Sequence, residues 1–74
     1  GRADIRYALP KETNVRLSVF DIAGREVARL VNGVMPAGQH SLSWSPTRTS
    51  ASGIYLYRLQ TPGRTLQGRF VVIQ

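Results

Sequence analysis

The sequence predicts an all-β fold, an antiparallel sandwich of about seven strands forming one domain over residues 1–74. Three observations predict it. Apolar and polar residues alternate along most of the chain. No window of ten or more residues sustains a helical 3.6 period. Turn-forming residues punctuate the alternation at spacings of about ten residues, which suits hairpins and leaves no room for βαβ units.

The elements follow in order. Residues 4–9 alternate with Ile5, Tyr7 and Leu9 on one face, until Pro10, Lys11 and Glu12 break the pattern. Residues 14–22 form a second strand with Val15, Leu17 and Val19 inward and Arg16 and Ser18 outward. "DIAGR" supplies a reversal in which Gly24 takes the positive φ that a tight turn demands. Residues 26–31 continue as a third strand, and the lapse of alternation from Val27 to Leu30 suggests a bulge. "NGVMPAG" reads as a loop that can hold a short seventh strand. Residues 39–45 then alternate most cleanly, with His40, Leu42 and Trp44 on one face and Ser41, Ser43 and Ser45 on the other. "SPTRTSASG" is a polar crossing loop, and two last strands flank Thr61-Pro62-Gly63-Arg64. Pro-Gly is not a favoured two-residue hairpin pair, so a longer, bulged connection is an alternative.

Register sorts the two faces of this closing hairpin. With Thr61 opposite Arg64, Leu59 meets Leu66, Tyr57 meets Gly68 and Tyr55 meets Phe70. Tyr55, Tyr57 and Phe70 then join Val15, Leu17, Val19, Leu42 and Trp44 in the expected core, with the Tyr57 ring laid over a strand glycine. Tyr55 resembles the corner tyrosine of immunoglobulin-type sandwiches, whose hydroxyl bonds to backbone a few residues upstream. The reverse face is less expected. Ile54, Leu56, Val71 and Ile73 point outward with Arg58 and Arg69 among them, where a water-facing sheet should be polar. Either the N-terminal strand or a loop covers these groups, or they form a docking patch for a protein partner.

The chain of 74 residues has a formal net charge of +6, from nine arginines and one lysine against four acids. The arginines are scattered singly, whereas nucleic-acid modules cluster them beside exposed aromatics, so no nucleic acid is expected as a partner. There is no cysteine to form a disulfide or a reactive thiolate. The longest apolar run, residues 70–73, is too short to span a bilayer. No charged n-region and apolar h-region open the segment, so any signal peptide lies outside it. His40, the single histidine, has Ser41 and Ser43 on the opposite strand face, which defeats a local Ser-His pairing. Asp4, Glu12, Asp21 and Glu26 are dispersed and form no calcium loop. The glycines make no phosphate cradle. The expectation is a non-enzymatic domain with no catalytic, metal or cofactor residues. Trp44 could stack on a sugar, but it shares its strand face with core residues.

Five phrases in order carry a family resemblance: "IRYALP" (residues 5–10), "VRLSVFDIAGREVARLV" (15–31), "AGQHSLSW" (37–44), "SGIYLYRL" (52–59) and "GRFVVIQ" (68–74). Together they resemble the C-terminal sorting domains of the bacterial type IX secretion system. They are also similar to the immunoglobulin-like domain of flagellar hook-capping proteins. The resemblance implies a seven-stranded immunoglobulin-like sandwich fused behind a secreted catalytic or adhesive domain. It implies passage through the periplasm to the cell surface or medium, after an outer-membrane export protein has read the segment. By position, Gly24, Gly38, Trp44, Gly53 and Tyr55 match fold-shaping residues, and residues 69–74 match the stretch recognised for export. The expected partner-binding residues are therefore Leu56, Arg58, Arg69, Val71, Ile73 and Gln74. The alternatives are an assembly module, as in hook caps, and a carbohydrate-binding accessory module. An uncapped apolar C-terminal strand can also pair with a second copy.

Overall fold

Alternation of branched and aromatic residues with polar ones favours extended backbone that buries one face, and the chain follows that rule throughout. The computed structural model describes residues 2–45 and 53–73. Among them are six strands: β1 (Ala3–Leu9), β2 (Thr13–Asp21), β3 (Glu26–Met35), β4 (Gly38–Trp44), β5 (Gly53–Thr61) and β6 (Arg64–Val72). They form two packed antiparallel sheets. The smaller pairs β1 with β4, and the larger runs β3-β2-β5-β6. The all-β sandwich stands, with six strands among the described residues in place of the expected seven.

The difference lies in residues 32–35. "NG" looks like a turn, but Gly33 is not among the positive-φ glycines, and the ladder continues through Val15↔Gly33 and Thr13↔Met35. The reversal waits until Gly38, at φ 117. What was expected as a loop with a hidden strand is thus the second half of β3. The expected bulge is present, and doubled. Pairings jump from Leu17↔Val31 to Ser18↔Arg29 and from Val19↔Ala28 to Phe20↔Glu26, leaving Leu30 and Val27 as extra residues. Each insertion increases the local twist, which turns the end of β3 away from a flat, pairable edge.

Two turns show their chemistry directly. At the β2–β3 connection the Asp21 carboxylate accepts the N–H groups of Ala23 (3.0 Å) and Arg25 (2.9 Å) and the Arg25 Nε–H (3.1 Å). The Asp21 N–H donates to the Arg25 carbonyl and Gly24 sits at φ 89, so the loop closes as a short bulged reversal. These donors, the Arg25 N–H foremost, hold the Asp21 carboxyl below its ordinary pKa. At the β5–β6 connection Thr61 pairs with Arg64, so Pro62 and Gly63 alone make the turn. Proline presets φ near −65° at the first position and Gly63 supplies φ 80 at the second, as a type II turn requires. The longer, bulged connection is not needed.

The core lies between the sheets. Leu17 and Val19 are fully enclosed, with Val72 (1%), Val15 (2%) and Leu59 from the larger sheet and Ile5 and Leu9 from the smaller. Tyr57 and Leu42 pack against this cluster. At one end Trp44 meets Tyr55 (5.1 Å between ring centroids, 73°) and Phe70 (5.9 Å, 77°) edge-on, while Phe70 stacks on Tyr55 and Tyr57. Val15, Leu17 and Val19 are buried as expected. Leu42, Trp44, Tyr55, Tyr57 and Phe70 face inward but are only half-buried. Two strands cannot roof four, so the margins of the larger sheet's inner face stay open. The hydrogen bond expected from the Tyr55 hydroxyl to upstream backbone falls outside the described residues.

Candidate docking face on the outer side of the larger sheet

The hairpin register matches the sequence expectation at every pair, from Thr61↔Arg64 through Leu59↔Leu66, Tyr57↔Gly68 and Tyr55↔Phe70 to Ile54↔Val71. A Cβ on Gly68 would overlap the hydroxyl end of the Tyr57 side chain, at Cε2, Cζ and Oη. Tyr57 therefore needs glycine opposite it, and this lock fixes which side chains face out.

Those outward groups form two apolar cross-strand rows. Ile54 opposes Val71, and Phe20, Leu56 and Arg69 line up across β2, β5 and β6. Val71 is 62% exposed and Ile73, just past β6, is 77% exposed, while Ile54 and Leu56 are about two-fifths exposed. Nothing among the described residues covers them. The N-terminal strand, one of the two proposed covers, pairs with β4 in the other sheet and so lies on the far side. The polar crossing loop and Gln74 lie outside the described residues.

A basic row adjoins the apolar ones. Ser18, Arg58 and Gln67 align across the strands, with Arg29 opposite Ser18. The Arg58 guanidinium folds over the Phe20 ring, 4.7 Å from its centroid, and so is half-buried instead of free. That arrangement keeps its planar fork at the margin of the apolar rows. Arg29 is neutralised by Glu26 at 2.9 Å, and this guanidinium holds the Glu26 carboxyl below its ordinary range. Arg69 and Arg16 have no ion pair among the described residues. The face can thus take an apolar surface that carries acceptor or acidic groups at its margin.

Leu56, Arg58, Arg69, Val71 and Ile73 are brought together here. The face has a further member absent from the sequence expectation, Phe20. Phe20 follows from the same alternation that places Val19 inward. Ile22 is 75% exposed at the β2–β3 turn.

The residues set aside for chemistry lie elsewhere. His40 stacks on Tyr7 (5.1 Å, 21°) on the inner side of the smaller sheet, and its Nε2 lies 2.8 Å from the Pro36 carbonyl. The Tyr7 hydroxyl is enclosed, and burial raises its pKa. Ser43 donates to Asp4 (2.7 Å), not to His40. Among the described residues no three potential metal ligands converge, and no helix is long and apolar enough to cross a membrane. Trp44, Tyr55 and Phe70 turn their rings to one another and are half-buried.

No family model, curated protein or solved structure matches this chain.

Proposed function

We propose that the chain is a non-catalytic sorting domain, read by an outer-membrane export protein through the outer face of the β5–β6 hairpin. In this reading it directs an upstream catalytic or adhesive domain through the periplasm to the cell surface. The observation that carries the reading is the uncovered group Ile54, Leu56, Val71 and Ile73 beside Arg58 and Arg69. Exposed aliphatics on a sheet face are a standing hydrophobic penalty that a docking role explains. The five ordered sequence phrases supply the partner class, because they resemble sorting domains of type IX secretion.

A terminal deletion is a poor test, since it would remove Phe70 and Val72 together with the outward groups. The informative experiment fuses a periplasmic reporter enzyme ahead of the chain in a bacterium that has the type IX system. Surface or extracellular reporter activity is expected with the chain and none without it. Reporter retained in the periplasm, with the chain intact and folded, would remove the proposal.

A further inference from the structure

A second surface lies on a different side of the molecule. Among the described residues the smaller sheet has two strands against four, and β1 has a backbone partner, β4, along one side only. Its other side opens onto a groove between β1 and β6. One cavity of about 370 Å³ is lined by β1 together with Tyr57, Leu59, Leu66 and Phe70. A neighbouring one of about 370 Å³ continues past Leu9, Lys11, Leu66 and Arg64. Leu66 stands inside the register of the core face yet is 45% exposed, and no strand among the described residues lies above it.

We infer that this groove accepts an extended acidic, aliphatic-alternating segment of another protein, which pairs with β1 as a third strand of the smaller sheet. Three features meet there. The free side of β1 offers unpaired N–H and C=O groups along seven residues, enough for roughly 24 Å of ladder. Inward-pointing aliphatics of an added strand would cover Leu66 and the open flank of Phe70. The charge at the rim selects the sign of the partner. Arg6, Lys11 and Arg64 line the groove without an ion pair among the described residues, while Asp4 is already engaged by Arg2 (3.6 Å) and Ser43. Outward-pointing acids on the incoming strand would meet these cations at the rim, where complementarity governs encounter and discrimination.

The test uses the 74-residue chain and a capped peptide alternating valine with glutamate over about nine residues. Binding is read by amide exchange and by titration. The expected results are saturable binding, slowed exchange in residues 3–8, and at least about a tenfold loss on Arg6→Glu plus Arg64→Glu with unchanged thermal melting. A lysine-for-glutamate peptide should bind at least about tenfold more weakly, and N-methylation of alternate peptide amides should abolish the ladder and the binding. Binding indifferent to N-methylation or to charge reversal would overturn the inference, as would no binding at millimolar peptide. A dimer by sedimentation in which the amides of residues 3–8 are already protected without peptide would overturn it too, by assigning the groove to self-association.

Discussion

Gly68→Ala is the substitution that exposes the logic of the hairpin. A strand glycine is ordinarily a weak point, and alanine there should gain about 0.5–1 kcal/mol. Here the new methyl overlaps the hydroxyl end of Tyr57, whose displacement is opposed by its neighbours. Phe70 stacks against it at 6.5 Å, and the side chain packs against the core cluster. Overpacking of this kind costs typically about 1–3 kcal/mol. The net expectation is a destabilisation of about 1–2 kcal/mol, which in a domain of this size lowers the melting temperature by roughly 4–15 °C. The sign should reverse once the ring is gone. In a Tyr57→Ala background, Gly68→Ala should be neutral or stabilising, giving a coupling energy of about 1–3 kcal/mol between the two positions. Thermal and urea melts of the four proteins, followed by far-ultraviolet circular dichroism, measure the cycle. A stabilising Gly68→Ala in the wild-type background, or additive effects in the double mutant, would refute the register and with it the sorting of side chains to the two faces.

Other expectations follow from the same structure. Leu17→Ala should remove about 2–5 kcal/mol, because the side chain is fully enclosed, leaving little of a typical small domain's stability. Retained cooperative melting near the wild-type temperature would contradict that placement. Trp44→Ala should be milder than Leu17→Ala, because Trp44 is half-buried at the end of the sandwich; an equal or larger loss in urea melts would argue for a deeper ring. Asp21→Ala should lower the melting temperature at pH 7, and the difference should vanish in acid. The folded carboxyl is depressed by the Arg25 and Ala23 N–H groups, so its stabilisation is present above the ordinary value of about 4 and is lost as pH falls through the folded value. A mutant deficit that persists at pH 2 would show that the turn does not depend on the charged carboxylate. Tyr7 acts in the opposite direction. Burial raises its pKa, so folding is penalised as the phenol ionises above about pH 10, and melts of Tyr7→Phe against wild type should show a difference that is constant at neutral pH and grows in alkaline solution.

Much of the fold was legible because local chemistry and tertiary structure agree. The hairpin register could be read from Thr61 to Val71, since only one pairing gathers Tyr55, Tyr57 and Phe70 on a side and gives Tyr57 a glycine to cover. The β3 bulges showed as broken alternation between Val27 and Leu30. Residues 32–35 were misjudged because Asn-Gly carries a strong turn signal, and pairing with Thr13 and Val15 outweighs it; the positive φ is supplied at Gly38. The fate of the outward patch could not be read from the hairpin alone. It depends on which sheet β1 joins, a tertiary fact set by the pairing of Ile5 with Leu42 and Tyr7 with His40. The same holds for Leu66. Alternation marks it as inward, but exposure depends on how far the opposite sheet reaches. Phe20 is legible from the same alternation that turns Val19 inward.

The most direct measurement of the docking role pairs Val71→Asp with Ile73→Asp in the reporter fusion and compares surface activity with periplasmic activity. Both side chains face solvent, so the purified variant should melt close to wild type. Delivery to the surface should fall at least about tenfold, with reporter accumulating in the periplasm. A folded double variant that reaches the surface as efficiently as wild type would show that the export protein reads some other part of the chain.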